Sequence, residues 1–477
     1  MFLRMIYDEN LAEAAYLIGC QQTDAAILLD PQRDIDRYER LAAANGLRIV
    51  AVAETHIHAD FLSGSRELAE KGAKVYLSDE GDADWKYQWL GKKAGGGSYD
   101  YQLLKDSDTF TIGKIEFKAL HTPGHTPEHL CFMVTDRGGG ADKPIGVATG
   151  DFVFVGDLGR PDLLESAAGL AGQADPAAHR LYQTVRRFME WPDYLQVWPA
   201  HGAGSACGKA LGAVPQSTVG YEKMFNSSIR AASSENAFVN FILDGQPEPP
   251  LYFSRMKRDN RLGPKLLGGL PKPRPLSAAE LIALNGRTVA LVDMRPWPQY
   301  KAGHLPGALW LPRSNAFSTD AGSMIGEQEA IYLIVEPARL EESVRCLVRV
   351  GLDSIAGWFD AGRFQEIASE GGRLIPTAEV TVAEARGMIQ ASRPFLLDAR
   401  RMAEFAEGHI PDAHNIAHTR LLSKLAEVPK DRHILVNCRG GVRSARACSL
   451  LQKHGYDVTN LAGGILAWEA ASAEMQR

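Results

Sequence analysis

The 477 residues suffice for about three domains of ordinary size. Hydrophobic residues make up 45% and charged residues 23%, so each domain can bury a core. The formal charge of -6 argues against a nucleic-acid partner, whose phosphates call for a basic face, and no uncharged apolar run is long enough to span a membrane.

Six cysteines without dense spacing read as reduced thiols rather than a disulfide framework. The opening "MFLRMIYDENLAEAAYLIGC" carries acids early and lacks the apolar core of a signal peptide, so a cytoplasmic location is expected. Over residues 1–245, "AAILLD", "RIVAVAET", "AKVYLS" and "TFTIGKIEFKAL" read as strands. "DPAAHRLYQTVRRFMEW" reads as a helix with Asp175 as N-cap and Pro176 at its first position. The aromatic and Gly-rich stretch at 84–102, "DWKYQWLGKKAGGGSYDYQ", has no assigned role. Residues 246–276 are rich in Pro and Gly and read as a linker lying on a surface rather than a folded unit.

Within residues 1–245, four segments supply candidate metal ligands. "AETHIHADFLSG" holds His56, His58 and Asp60 just after an apolar strand. "LHTPGHTPEHL" places His125 on a Pro-Gly turn, "GVATGDFVFV" puts Asp151 at a strand end, and "VWPAHG" does so for His201. Strand ends beside glycine let ligands crowd without backbone clash. This is the ligand order of the metallo-β-lactamase fold, which residues 1–245 resemble throughout, and which implies an αββα sandwich. His121, His129 and His179 match no ligand position and read as ordinary surface or core histidines.

In that fold a second metal leans on Asp60, a His at position 61, and His201. Phe61 stands at that position, and a phenyl ring binds no metal, so the second site is expected to be empty. The remaining set is His56, His125 and Asp151, with His58 nearby. Two imidazoles and one carboxylate with open positions suit Fe(II) and O₂ chemistry; three ligands and one open position also suit catalytic Zn. Ligand types alone leave both open.

The pattern resembles the persulfide dioxygenases, which oxidise a thiol persulfide to sulfite at one iron. The resemblance implies one Fe(II) per chain on His56, His125 and Asp151. It leaves His58, Asp60 and His201 as neighbours that orient ligands and water. Arg160, in "GDLGRPDLL", resembles a position near the substrate pocket; its alternative is a salt bridge to Asp162 or Glu165. Cys207, in the Gly/Ser-rich loop "AHGAGSACGK", reads either as a sulfur carrier or as a small buried residue.

The C-terminal part contains an internal repeat. "LVDMRPWPQYKAGHLPGA" (291–308) matches "LLDARRMAEFAEGHIPDA" (396–413) in one register, with Asp293 and Asp398 105 positions apart. The βα alternation predicts two small parallel α/β domains, at 277–372 and 378–477. In the second copy an apolar strand ends at Asn437 and "CRGGVR" follows. Gly440, Gly441 and Val442 offer backbone N–H groups as an anion nest, a helix begins there, and Arg439 and Arg443 add charge, all of which favour Cys438 as a thiolate. A Cys-x4-Arg loop, with "NLAGGILAWE" after it, resembles the rhodanese sulfurtransferases, which carry sulfur on that Cys. The first copy has "IYLIVEPARLEES" at this place, with no Cys and no Gly. Counting back lands on Ile334 or Val335. Cys346 and Cys448 sit in helical stretches and read as core.

The order of domains is similar to that of persulfide dioxygenase–sulfurtransferase fusions of the CstB type. The resemblance implies oxidation of a low-molecular-weight persulfide with O₂ to sulfite and thiol. Sulfur then passes through Cys438 to sulfite, giving thiosulfate. It implies small-molecule partners, no nucleic acid, no membrane, and a homo-oligomer, dimer or tetramer. Two alternatives stand beside it: a glyoxalase II-like Zn/Fe thioester hydrolase fused to a rhodanese, and a non-enzymatic sulfur carrier or sensor.

Overall fold

A computed structural model describes residues 1–166, 172–472 and 474–476. The chain divides into two compact units, 1–270 with Val348–Val350, and 271–347 with 351–477.

The first unit contains two six-stranded sheets. One runs in sequence order through β1 (Phe2–Asp8), β2 (Glu13–Cys20), β3 (Ala25–Leu29), β4 (Arg48–Ala53), β5 (Lys74–Ser78) and β6 (Tyr101–Leu104). The other runs in sequence order through β7 (Thr109–Ile112), β8 (Ile115–His121), β9 (Leu130–Asp136), β10 (Gly146–Gly150), β11 (Gln196–Pro199) and β12 (Ser217–Thr218). Alternate residues face inward, as the strand period demands. Tyr16, Ile18, Ile27 and Leu29 of one sheet thus share a core with Phe110, Phe117, Phe132 and Trp198 of the other. The outer face of the first sheet packs on α1 (Asp36–Ala44) and α2 (Ser65–Glu70) through Tyr38, Ala42 and Leu68. The outer face of the second packs on α3 (Ala174–Phe188) through Ala178, Leu181, Val185 and Phe188. The result is the expected αββα sandwich.

Three local readings change. The run "TFTIGKIEFKAL" is a hairpin rather than one strand: Gly113, at φ +57°, turns β7 into β8. Helix α3 begins two residues earlier than the sequence suggests, after Gln173, so Asp175 lies in its first turn rather than capping it. There its charge still faces the positive helix end. The supposed linker contains a ten-residue helix, α4 (Phe253–Leu262), with Phe253 and Met256 buried. The aromatic insert is folded too: Trp85, Tyr87, Trp89 and Tyr99 are buried in the core shared with α1 and α2.

The second unit holds the repeat as two five-stranded sheets of identical order. The first uses β13 (Arg274–Pro275), β14 (Ala290–Asp293), β15 (Leu309–Trp310), β16 (Ile331–Val335) and β17 (Ile355–Asp360), ordered β13-β17-β16-β14-β15. The second uses β18 (Ala378–Val380), β19 (Phe395–Asp398), β20 (His414–Asn415), β21 (Ile434–Asn437) and β22 (Val458–Leu461), ordered β18-β22-β21-β19-β20. Every ladder in both is parallel, as βα alternation predicts. Each copy opens on a short strand, β13 or β18, ahead of its first helix.

The repeated Asp-x-Arg motif is a clasp. Arg295 and Arg400 each hold the Asp two residues before through Nε (3.0 Å to Oδ1) and Nη2 (2.7 Å to Oδ2). Each also donates from Nη2 to a loop carbonyl, of Gly303 at 2.9 Å and Gly408 at 2.8 Å. The motif therefore ties a strand end to the loop after the next helix, which is fold chemistry rather than catalysis. Among the described residues, no helix is long and apolar enough to cross a membrane.

Candidate metal centre and sulfur loop

The four ligand segments meet at one end of the sandwich. The donor atoms of His56, His125 and Asp151 all lie within 4.8 Å of one another. All three side chains are buried. Thr55 Oγ1 donates to Asp30 Oδ2 at 2.9 Å, so His56 Nδ1–H donates to Thr55 Oγ1 at 3.0 Å. His125 Nδ1–H donates to the Arg160 carbonyl at 3.0 Å. Both rings thereby keep the Nε2 lone pair for the centre, the usual tautomer of a ligating histidine. Burial, reinforced by neighbouring imidazoles, pushes His56 well below its ordinary pKa, and burial lowers His125. Both are thus neutral, the form that binds metal. Burial acts to raise Asp151, but His201 and His125 outweigh it and hold the carboxyl below its ordinary pKa.

Among the described residues, neither oxygen of Asp151 has a hydrogen-bond partner although both are buried, and the same holds for Asp60 Oδ2 and His201 Nε2. Unpaired buried polar atoms are costly, and four of them aimed at one place fit a cation. The residues present therefore fit a metal ion.

His58 stands apart from this group. Its Nε2 pairs with Asp30 Oδ1 at 3.0 Å. Burial alone would lower its pKa, but the Asp30 carboxylate raises it to about 9. Phe61 is fully buried with its ring 4.4 Å from that of His58. Asp60 and His201 lie at 3.3 Å, and His201 Nε2 also lies 3.4 Å from Asp151 Oδ1. Cys207 joins them, so that Asp60, His201 and Cys207 form a second set of donors within 4.8 Å of one another. The sequence places Cys207 near His201 but does not reveal this convergence. Burial, with the Asp151 and Asp60 charges, raises the Cys207 thiol well above its ordinary pKa.

Arg160 takes the second of its two readings. It is buried, and its guanidinium is spent on Asp162, at 2.8 Å and 2.6 Å, and on the Ala206 carbonyl at 3.1 Å. The salt-bridge alternative is what the structure has. His129, ordinary by its sequence pattern, belongs to the site: its Nε2 accepts the Asp151 backbone N–H at 3.1 Å. Burial pushes it down to about 3. Asp30 also escapes sequence reasoning; it ends a strand as the ligands do, which is the one sequence signal it carries.

In the sulfur loop, β21 delivers Cys438 to the N-terminus of α7, numbered after α5 (Leu340–Arg349) and α6 (Met402–Ala406); α7 spans Val442–Lys453 and α8 spans Gly464–Ala470. Cys438 is buried. Its Sγ accepts from the Gly441 N–H at 3.1 Å and from Ser444 Oγ at 3.3 Å. Gly441 takes φ +92°, open to glycine, and caps α7. The loop carbonyls of Cys438 and Arg439 accept from Ile465 and Leu466 of α8, at 2.7 Å and 3.1 Å. Arg443 is held by Glu404 through two bonds, 2.6 Å and 2.7 Å. Arg439 and Gly440 are exposed, so the mouth of the loop faces solvent. Ser444 and Glu404 escape sequence reasoning; both lie outside the Cys-x4-Arg loop. Cys448 is core, and burial raises its thiol far above the ordinary range. Cys346 is likewise buried.

A family model described as the metallo-β-lactamase superfamily matches residues 10–201, and a rhodanese-like domain model matches residues 381–471. The solved structure of a metallo-beta-lactamase from Staphylococcus aureus subsp. aureus COL is 37% identical, with a TM-score of 0.67, over 75% of this chain and 98% of that one. This chain belongs to the metallo-β-lactamase superfamily. Within the superfamily region it is 25% identical over 210 residues to the mitochondrial persulfide dioxygenase ETHE1 of Bos taurus, covering 42% of this chain and 68% of that protein. A sulfurtransferase from Allochromatium vinosum is 46% identical over 74 residues, 15% of this chain and 69% of that protein. This superfamily member therefore joins a metal-binding sandwich to a rhodanese-like domain.

Proposed function

We propose that the chain oxidises a low-molecular-weight thiol persulfide with O₂ at one Fe(II), then passes sulfane sulfur through Cys438 to sulfite. What carries the reading is the coexistence of a buried 2-His-1-carboxylate set with a Cys438 loop that offers donors to sulfur. The likeness to a persulfide dioxygenase and to a sulfurtransferase supports it. Iron, when bound, supplies the electron transfer that lets O₂ react with a persulfide sulfur. His56, His125 and Asp151 would hold it, with Thr55, Arg160 and His129 fixing their orientation. His201 Nε2 lies between Asp60 and Asp151, at 3.3 Å and 3.4 Å, and the buried ring of Phe61 packs on His58. The first reaction takes a persulfide, O₂ and water to thiol, sulfite and two protons.

In the second reaction Cys438 attacks the outer sulfur of another persulfide. The S–S bond breaks, the thiol leaves, and Cys438 holds a persulfide. Sulfite then takes that outer sulfur as thiosulfate, returning Cys438 as the thiolate. The first rhodanese-like copy, with Val335 in place of the Cys, serves as a structural element or a docking surface.

The test is oxygen uptake with a persulfide, with metal measured on the same sample. One iron per chain and persulfide-dependent uptake are expected. His56→Ala, His125→Ala and Asp151→Ala should each lose uptake and iron while keeping the fold. The Asp60–His201–Cys207 set favours one rival, a two-metal thioester hydrolase. Two metals per chain with thioester hydrolysis and no oxygen uptake would select it.

A further inference from the structure

The metal-bearing loop at 56–63 has little regular sheet pairing, so its backbone groups need partners from elsewhere. Asn260, on α4, supplies three. Its Nδ2 donates to the carbonyls of His58 at 2.8 Å and Phe61 at 2.7 Å, and its Oδ1 accepts the Ser63 N–H at 2.9 Å. The side chain is buried. Only a carboxamide offers two donors and an acceptor from one planar group, so Asn and Gln alone fit, and Gln is one methylene longer.

Helix α4 is itself gripped by the aromatic insert. Lys257 Nζ lies 3.5 Å from the centre of the Trp85 ring. The Gln88 N–H donates to the Arg261 carbonyl at 2.8 Å, and Arg261 Nη1 donates to the Asp84 carbonyl at 3.1 Å. Just beyond α4, Arg66 of α2 donates to the carbonyls of Gly263 at 3.2 Å and Pro264 at 2.7 Å. Insert, helix and loop form one hydrogen-bonded stack.

We propose that Asn260 is a positioning residue for the metal centre. By fixing the loop at residues 58, 61 and 63 it sets where His56 and Asp60 stand relative to His125 and Asp151. The metal centre then depends on the segment that leads on to the rhodanese-like unit. The inference rests on the metal-centre reading.

The test is metal affinity in the full chain, measured by titrating metal-depleted protein with Co(II), whose absorption reports ligand geometry, and with Fe(II) against a chelator. Asn260→Leu keeps the volume without the hydrogen bonds. Its affinity should fall ~10–100-fold with an altered Co(II) spectrum, the range for losing a group that orients ligands. Asn260→Gln should recover part of the affinity, and Ser254→Ala, exposed on the same helix, should match the wild type. Wild-type affinity and spectrum in Asn260→Leu would overturn the proposal. Failure of the wild type itself to bind metal would instead overturn the metal-centre reading. Hydrogen exchange on the wild-type chain is an independent arm: the Ser63 amide should exchange as slowly as amides within α4, and exchange at open-loop rates would refute the clamp.

Discussion

The two rhodanese-like copies share strand order, the Asp-x-Arg clasp, and a histidine stacked on the aromatic ring four residues earlier: His304 on Tyr300 at 3.9 Å, His409 on Phe405 at 3.7 Å. They part where one strand ends. The pairing of Asp293 with Ile334 and of Asp398 with Asn437 puts Val335 at the place of Cys438. After Cys438 come two glycines and a helix N-terminus; after Val335 come Glu336 and Pro337, which lacks an N–H to offer. Glu404, which holds Arg443, corresponds by the repeat offset to the uncharged Gln299. In the first copy a cavity of about 720 Å³, lined by Arg295, Arg313, Val335, Glu336 and Phe364 among others, lies at this strand end. Clasp and stack go with the fold in both copies, while the donors to a cysteine sulfur belong to one short loop and the groups that hold it.

Cys438→Ser breaks the comparison most sharply. A hydroxyl cannot carry sulfur, so transfer from thiosulfate to cyanide should fall by roughly three orders of magnitude or more. Cys346→Ser should leave that rate unchanged apart from a cost in stability. His304 gives the first copy a pH dependence. Burial lowers it from 6.5 to about 4, so between those values the unfolded chain binds a proton that the folded chain does not. Its contribution is complete above about pH 6.5 and is lost as pH falls toward 4. Linkage makes it about 3 kcal/mol at most. Urea unfolding of His304→Gln against wild type across that range should show the pH slope reduced in the variant.

Gly464→Ala probes the support of the sulfur loop. A Cβ there would meet the Cys438 carbonyl at 2.2 Å, and the residue sits at φ +56°. The variant should lose about 1–3 kcal/mol of stability, the range for overpacking, and more transfer activity than that loss explains. Val335→Cys should do least. It places a thiol at the equivalent position without the anion nest, and the cyanide assay on a Cys438→Ser background should show no recovery. Recovery there would mean that the loop is not what makes the chemistry.

The layered fold and the repeat were legible because strand periodicity and a shared register are local signals. The candidate ligand segments were legible because each follows a strand at a glycine or a turn. Asn260 was not: it acts on residues about two hundred positions away, and the Pro and Gly around it hid the spacing of Phe253, Met256 and Asn260 on one helical face. His129 and Arg160 show the same limit from both sides. One histidine in a His-rich turn proved to hold Asp151, while an arginine beside the site spends itself on Asp162. Residue type can be read along the chain; only packing decides which neighbour it meets. Cys207 was placed near His201 by sequence, but its convergence with Asp60 depends on the path of the loop.

On the proposed function, one chain makes sulfite at its metal centre and converts it at Cys438. The most direct test is the ratio of sulfite to thiosulfate released under a fixed persulfide load, with oxygen uptake recorded, for iron-loaded wild type and Cys438→Ser. Non-enzymatic coupling is subtracted with a control lacking protein. Undiminished oxygen uptake, with the product shifting from thiosulfate to sulfite in the variant, is the predicted result. Equal thiosulfate from both proteins, or no persulfide-dependent oxygen uptake by either, would contradict the account.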